Sequence, residues 1–422
     1  MSWEADVAVV GLGRVGLPLA LTFADHGLRV VGIDRDTRRL DSVRAGQMPF
    51  NETGTQELLE RVVATGRLSL SENVADAGTA EHVILTIGTP SFSHIEIDIR
   101  DIRSALDVLA PVLRPGASVI LRSTVAPGTT EFVAGYLQKR CGLRVGRDVF
   151  VAHAPERIAE GRFIEEIHSL PCIVGGVDML STERVAKLFE VFGTSIVRTT
   201  PVQAELAKIW TNILRYAMFS LPNLLMMNCE QYNANVFEVI DLINRDYPRG
   251  GMKLPGFTAG TCLRKDFTFS EERSNAPGML LAVSRVNESV PLFVVQGIKR
   301  RIGELTDKKV AVLGVGFKRD SDDDRDSLSY KLIRFLEREL ADIAVHDPFV
   351  PGPWVSLEDA VTQADVVIIA TNHSVYSDPQ TIEAIRRSAR EDCVIVDVWN
   401  ALGTGQVFTL TNQVAELREG AA

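Results

Sequence analysis

Cysteine, excess positive charge and long apolar runs are all in short supply in this chain, and each shortage removes a class of answer. The five cysteines, at 141, 172, 229, 262 and 393, lie far apart with no CxxC spacing. Neither a zinc ribbon nor a disulfide scaffold is written here, and no metal is expected. An odd number of thiols, together with a start (Met-Ser-Trp-Glu-Ala-Asp) that runs straight into a strand pattern, points to reduced cysteines in a cytoplasmic protein. No apolar stretch reaches the roughly 18–20 residues of a spanning helix, so no membrane is expected. The net charge of -10 argues against nucleic acid or an anionic membrane as the main partner. A few clustered Lys and Arg still suffice for an anionic small ligand. What remains is a globular composition, 45% hydrophobic and 24% charged, spread over 422 residues, which is enough for two or three domains.

The first element is a short apolar run, Val7 to Val10, ending at Gly11-Leu12-Gly13-Arg14-Val15-Gly16. A helical stretch follows from Leu17 to Ala24, with Pro18 in the first turn where proline is tolerated. A second strand, Leu28 to Ile33, ends at Asp34. Strand, GxGxxG, helix, strand and acidic residue together form a dinucleotide fingerprint. Gly11 makes the turn, Gly13 admits a pyrophosphate, and Gly16 lets helix and strand pack closely. The helix N-terminus offers N–H groups to the phosphates. Asp34 stands 18 positions beyond Gly16, where it bonds a ribose 2′-hydroxyl and repels a 2′-phosphate, so NAD is expected rather than NADP.

The alternation continues with strands at His82–Ile87, Ser118–Val125 and Val149–His153, the first ending at Gly88-Thr89-Pro90. Strand ends of this kind are where open parallel sheets hold ligands. Ser123 and Thr124 close the second of these strands; they suit either a ligand contact or a cap for the next helix. Glu156, after Pro155 at the third strand's end, is well placed for chemistry, although the residues by themselves favour a solvated loop carboxylate.

From about 202 to 225 the pattern is helical and apolar, with Pro222 near its end. Glu205, Lys208, Asn212 and Arg215 fall on one stripe, which reads as the wet face of an amphipathic helix or as a polar face turned into a cleft. After a second helix comes Pro255–Phe267 (PGFTAGTCLRKDF), a cysteine in a glycine-rich turn followed by two cations and a carboxylate. Most free cysteines are small buried hydrophobes; these polar flanks favour a reactive thiol instead. A long helix over about 277–304 suits a linker or a dimerisation element. From Lys309 the α/β alternation restarts, and Gly314-Val315-Gly316 imitates the first fingerprint. Arg319 occupies the third glycine position, so no second NAD site is expected. The run from Phe317 to Ser327 reads mostly as solvated surface and helix N-terminal acid, with Lys318 and Arg325 as candidate phosphate ligands.

Taken in order, Gly11–Ala20 (GLGRVGLPLA), Gly46–Gly54 (GQMPFNETG), Gly88-Thr89-Pro90, Ser123–Thr129 (STVAPGT), Pro155-Glu156-Arg157, Glu205–Lys208 with Asn212, Gly260–Asp266 (GTCLRKD) and Gly316–Ser327 resemble the UDP-glucose/GDP-mannose dehydrogenase family over nearly the whole chain. The resemblance implies an α/β protein with two Rossmann-like doubly wound parallel-sheet domains joined by a central long-helix dimerisation region. The implied spans are an NAD-binding domain over 1–200, a central helical region with the cysteine loop over 201–304, and a nucleotide-sugar-binding domain over 305–422. It implies a homodimer acting on a nucleotide-diphosphate sugar, most simply a UDP-hexose. The C6 alcohol is oxidised twice to a uronic acid, through a thiohemiacetal and a thioester on Cys262.

By matching position, Lys208 and Asn212 stabilise oxyanion charge, Asp266 and Glu156 serve in acid/base work, and Thr124 helps hold water. NAD is implied to contact Gly11, Gly13, Val15, Gly16, Asp34, Arg35, Thr89, Ser123 and Thr124. The sugar nucleotide is implied to contact Glu156, Arg157, Lys208, Asn212, Arg249, Gly260, Phe317 and Lys318, with Arg249 reaching across the dimer. The chain departs from the family at Arg264, where proline is common, at Ala259, where glycine is usual, and at Leu224, where glutamate is frequent. Arg157 resembles the branch acting on N-acetylated hexosamines, whereas Cys-Leu-Arg-Lys-Asp resembles the glucose branch, which leaves the sugar open. Two other functions remain to be separated from this one. A single-hydride β-hydroxyacid dehydrogenase leaves Cys262 and the C-terminal sheet without a role. A non-catalytic NAD- or nucleotide-binding module leaves Cys262, Lys208, Asn212 and Asp266 without one.

Overall fold

Strands of one apolar residue after another require a sheet covered on both faces, and among its described residues the computed structural model contains two such sheets besides a two-stranded ribbon (Ser91–Phe92 with Glu96–Ile97). It describes residues 3–88, 91–92, 96–97, 99–258, 260–271 and 278–414. Thr89 and Ala259 lie outside these residues, and for Thr261 and Cys262 only the backbone is described.

The first sheet has eight strands: β1 (Ala5–Val10), β2 (Val30–Ile33), β3 (Leu68–Ser71), β4 (Ala80–Leu85), β5 (Ser118–Leu121), β6 (Phe150–His153), β7 (Cys172–Gly176) and β8 (Ile196–Thr199). Their order across the sheet is β8-β7-β6-β5-β4-β1-β2-β3. The six strands from β3 to β6 follow the dinucleotide-fold order 3-2-1-4-5-6 and are all parallel; β7 then joins β6 antiparallel. Strand periodicity divides the side chains cleanly. Val7 and Val9 enter one apolar layer with helix α1 (Gly16–Asp25), while Ala8 and Val10 enter the layer on the opposite face. The order reverses between β1 and β4, and there the carboxyl ends of the two strands open a crevice.

The second sheet runs β10-β9-β11-β12-β13, formed by β9 (Lys309–Leu313), β10 (Asp342–His346), β11 (Val366–Ile369), β12 (Val394–Val396) and β13 (Phe408–Leu410). This is the other common doubly wound order, 2-1-3-4-5, with an antiparallel closing strand. That last strand lies in the tail, where the sequence carries no readable chemistry.

The chain folds as two compact units. One is Met1–Thr211 with Thr268–Arg273; the other is Asn212–Phe267 with Ser274–Ala422. Helix α3 (Pro201–Gln231), which follows helix α2 (Thr129–Cys141), contributes to both. Pro222 lies inside α3 rather than near its end. An interior proline costs about 3 kcal/mol, and the neighbouring buried Asn223 supplies what holds the helix together there. Its side chain donates to Gly256 O (3.0 Å) and Asn287 Oδ1 (2.8 Å) and accepts from Gly256 N (2.8 Å). Among the described residues, no helix is long and apolar enough to cross a membrane.

Candidate active site

In the first unit, the glycine turn has the geometry that its spacing demands. Gly11 has φ +98°, and a Cβ on Gly16 would fall 1.8 Å from the carbonyl oxygen of Gly11. A Cβ on Gly13 would meet nothing within 4 Å, so the middle of the turn borders open space. No side chain caps α1, whose first residue is Gly16 and whose N-cap is Val15. Open space, a tight turn and an uncapped helix start together fit a dinucleotide pyrophosphate. Asp34 is buried; it accepts Leu12 N at 2.6 Å and the Arg39 guanidinium at 2.7 Å on Oδ2, and Asp36 N at 2.9 Å on Oδ1. Arg39, which the spacing does not single out, is thus the arginine on this carboxylate. Arg35 points outward, 88% exposed, 3.7 Å from Asp101.

Along β5 and β6 the structure bears on two sequence readings. Ser123 donates to Ile87 O at 2.6 Å, Thr124 is half-buried, and Gly128, the residue before α2, has no side chain to cap it. The start of α2 is held from afar: Glu205 of α3 accepts Gly128 N (2.7 Å), Thr130 N (2.8 Å) and Thr130 Oγ1 (2.5 Å). Burial pushes the Glu205 carboxyl up, and these bonds pull against that. Glu156 is buried, not a solvated loop carboxylate. Its Oε2 accepts Arg122 Nη2 at 2.7 Å, and its Oε1 accepts the N–H groups of Arg157 (2.7 Å) and Ile158 (2.8 Å). The Arg157 side chain donates to Pro171 O.

The polar stripe of α3 faces protein rather than water. Glu205 and Asn212 are buried, Lys208 is half-buried, and only Arg215 is exposed. The exposed stripe is instead apolar: Leu206, Trp210, Leu214, Met218, Leu221 and Leu224. Leu224 therefore belongs to the outward face of the helix.

A half-buried and a fully buried histidine, His82 and His153, set a pH limit on this unit. Burial, with Arg184 nearby, lowers His82 to about 4, and burial, with Arg122 and Lys208 nearby, lowers His153 to about 3. Both folded values lie below the ordinary 6.5, so the stability they contribute is present above pH 6.5 and is lost as pH falls toward 4 and 3. Each costs about 1.4 kcal/mol per pH unit inside that window. Thermal unfolding is expected to occur at clearly lower temperature at pH 4.5 than at pH 7, and His82→Leu is expected to remove part of the difference. Equal melting at both pH values would contradict this.

In the second unit, Cys262 is the second residue of helix α4 (Thr261–Glu271), not part of a turn. Gly260, at φ +94°, makes the bend into that helix, and a Cβ there would fall 2.7 Å from the Phe317 ring. A Cβ on Gly256 would fall 2.2 Å from the Trp399 ring, so the segment before α4 rests on two aromatic rings beside the second sheet. Asp266, one turn after Cys262 and fully buried, accepts Asn212 Nδ2 at 2.6 Å. Arg264 pairs with Glu288 (2.6 Å) and donates to Asp326 O (3.1 Å). It thereby ties α4 to helix α5 (Met279–Ile302) and to the acidic loop.

That acidic loop is partly solvated and partly pinned: Arg319, Arg325 and Asp326 are exposed, whereas Ser321, Asp323 and Ser327 are buried. Asp323 is buried and pairs with Arg325 at 2.5 Å, while Lys318 is half-buried. Asp320 N donates to His373 Nδ1 at 2.8 Å, so the ring's other nitrogen is the one that donates to Asp347 Oδ2 at 3.2 Å. Asp347 also accepts Val315 N (2.6 Å) and Gly316 N (3.1 Å) on Oδ2, and Phe349 N and Val350 N (2.8 Å each) on Oδ1. Burial raises this carboxyl, but the histidine and backbone bonds more than reverse that and hold it well below the usual range. Asp347 occupies the place of Asp34 in the first sheet, with five donors against about four acceptor sites. Its acceptor sites are thus taken up from within the protein. Arg249 is exposed, stacked over Tyr247 at 4.8 Å.

Three family models match the chain in order. They are the NAD binding domain (residues 5–193), the central domain (202–289) and the UDP binding domain (311–404) of the UDP-glucose/GDP-mannose dehydrogenase family. A UDP-N-acetyl-D-mannosamine dehydrogenase of Pyrococcus horikoshii is 32% identical, with 92% of this chain and 94% of that protein covered. The solved structure of the Pyrococcus horikoshii UDP-D-ManNAc dehydrogenase superposes with a TM-score of 0.87, covering 93% of this chain and 94% of that one. A UDP-N-acetyl-D-mannosamine dehydrogenase of Campylobacter jejuni is 31% identical over 90% of this chain and 98% of that protein. The structure of a UDP-glucose dehydrogenase from Pyrobaculum islandicum is 28% identical, covers 93% of this chain and 94% of that one, and has a TM-score of 0.83. A glycine turn shaped for a dinucleotide, a second sheet built on the same plan, and likeness over nearly the full length of these relatives lead to one assignment: the chain belongs to the UDP-glucose/GDP-mannose dehydrogenase family and is an NAD-dependent nucleotide-sugar dehydrogenase.

Proposed function

We propose that the chain oxidises the C6 alcohol of a UDP-N-acetylhexosamine, N-acetylmannosamine foremost, to the uronate, with Cys262 as the nucleophile between two oxidations. The observation that carries this reading is the 2.6 Å bond from Asn212 Nδ2 to Asp266 Oδ2, which anchors the cysteine helix to the polar stripe of α3. Cys262 and Asp266 stand four residues apart on α4, hence on one face, and a helix start carries partial positive charge that favours a thiolate. The choice of sugar rests on the relatives from Pyrococcus and Campylobacter and on Arg157 directly after Glu156.

NAD would be held at Gly11, Gly13, Gly16 and Asp34 and, when bound, would supply the acceptor for one hydride from C6 in each oxidation. In the first, the alcohol also gives up its hydroxyl proton and becomes an aldehyde. The Cys262 thiolate forms a C–S bond to it, and the oxygen, steadied by Lys208 and Asn212, gains a proton as a thiohemiacetal. The second oxidation leaves a thioester. Water, oriented by Thr124 and Glu156 with Asp266 in acid/base work, attacks the acyl carbon; the C–S bond breaks and the thiolate leaves. Lys318, Phe317 and Gly260 hold the nucleotide sugar, and Arg249 reaches it from a second copy of the chain. The outward apolar stripe of α3 supports a homodimer; a monomer mass by light scattering would count against it.

The test is NADH stoichiometry with UDP-N-acetylmannosamine, UDP-N-acetylglucosamine, UDP-glucose and GDP-mannose. Two NADH per sugar are expected, with kcat/KM highest for UDP-N-acetylmannosamine. One NADH per sugar overturns the mechanism, and preference for UDP-glucose overturns the sugar.

A further inference from the structure

We infer that Arg122 is a positioning residue that locks the Glu156 carboxylate and leaves one acceptor direction on its Oε2 for the reacting group. The inference rests on the reading of Glu156 given above. Arg122 directly follows β5, and its side chain is 4% exposed. Its Nη2 donates to Glu156 Oε2 at 2.7 Å, and its Nη1 donates to Ala154 O at 2.9 Å and Pro155 O at 3.3 Å. The same guanidinium therefore grips both the carboxylate and the backbone that carries it. Phe189 supports it from the side, with its ring centre 5.0 Å away. The two segments are also joined through backbone, Glu156 N to Arg122 O at 3.1 Å.

A carboxylate offers about four lone-pair sites. Two on Oε1 are taken by Arg157 N and Ile158 N, and one on Oε2 by Arg122. Rotation of the group would break three bonds at once, so the remaining site points in a fixed direction. The charge of Arg122 is not meant for a ligand of its own. The cavity beside the pair, lined by Arg122, Glu156, Arg157 and Cys172, measures about 20 Å³, which is room for roughly one water and not for a phosphate. A buried arginine needs a partner, and Glu156 is the carboxylate it pairs with.

Lysine keeps the charge but not the planar fork, which makes the test discriminating. Full-length Arg122→Met, Arg122→Lys and Glu156→Gln are compared with the native enzyme, using NAD and the best sugar of the panel. Arg122→Met is expected to lower kcat about 100-fold, within the range of acid/base contributions, with KM and NAD affinity changed less than about threefold. Arg122→Lys is expected to restore kcat only in part, to about a tenth of the native value, because it keeps the charge without the fork. A merely structural role lowers the folded fraction and leaves kcat per folded molecule native in both variants. If Arg122→Met does not fold, the decision passes to Arg122→Lys: a native kcat per folded molecule there overturns the fork geometry. Native kcat per folded molecule in Arg122→Met, with Glu156→Gln inactive, overturns the inference alone. Native turnover in Glu156→Gln overturns the role of Glu156 itself.

Discussion

Replacing Cys262 by alanine is expected to abolish the net four-electron reaction. Steady-state formation of uronate should fall by about a thousandfold or more, equivalent to roughly 4 kcal/mol of transition-state stabilisation. In the proposed mechanism the thiolate would divide one hard conversion into two easier ones: it would hold the aldehyde and make the carbon a good hydride donor a second time. Without it the aldehyde hydrates or leaves. A single turnover should then yield at most one NADH per sugar, and no denaturant-stable adduct should form on the protein. Cys262→Ser retains a hydroxyl but not a readily ionised nucleophile, so it should slow the second oxidation more than the first. The position of residue 262 separates this loss from misfolding. It lies in the first turn of α4, one turn before the buried Asp266 that anchors the helix to Asn212. The alanine variant should therefore melt close to the native protein. Two NADH per sugar at the native rate from Cys262→Ala would end the proposed mechanism.

The parts of this molecule that are legible in its sequence are those fixed by near neighbours. The turn from Val10 to Gly16, the strand from Val30 and Asp34 make one local unit, and Gly314-Val315-Gly316 after the strand from Lys309 imitates its turn. The illegible parts depend on distant partners. Arg122 reads as a lone charge inside the expected strand Ser118–Val125; only the fold brings it to Glu156, 34 residues later. The one signal in the sequence is an arginine directly after the apolar run Val119-Ile120-Leu121. Glu205 belongs to a stripe that pattern alone cannot orient, because α3 carries both a polar and an apolar face. Its task is to cap a helix 75 residues upstream. Pro222 suggests a helix end until Asn223 is seen to be tied to Gly256 and Asn287. The acidic run near 322 looks solvated until His373, 53 residues onward, accepts the N–H of Asp320.

The second large effect concerns Gly16, and it runs against intrinsic helix preference. Gly16 begins α1. In an ordinary helix, alanine is better than glycine by about 0.8–1.0 kcal/mol. Here the added Cβ would lie 1.8 Å from the Gly11 carbonyl oxygen and 2.5 Å from Thr86 Oγ1. That hydroxyl already donates to Gly11 O at 2.5 Å and Val10 O at 2.9 Å, so the neighbours have no slack to yield. Either α1 moves away from the end of β1 or the turn rearranges, and both displace the N–H groups that face the pyrophosphate. Gly16→Ala is expected to weaken NAD binding about 100-fold or more, or roughly 2.7 kcal/mol. It should also lower the melting temperature by several degrees, as overpacking of about 1–3 kcal/mol does in a unit of this size. Gly13→Ala supplies the contrast. Its Cβ meets nothing in the protein, so the fold should melt as the native one does while NAD binding still weakens, because the new methyl group stands where the phosphates approach. UDP binding should survive both changes, since its expected ligands, Phe317 and Lys318, lie in the other unit. Native NAD affinity with native melting in Gly16→Ala would show that the turn does not bind the cofactor in the way its geometry requires.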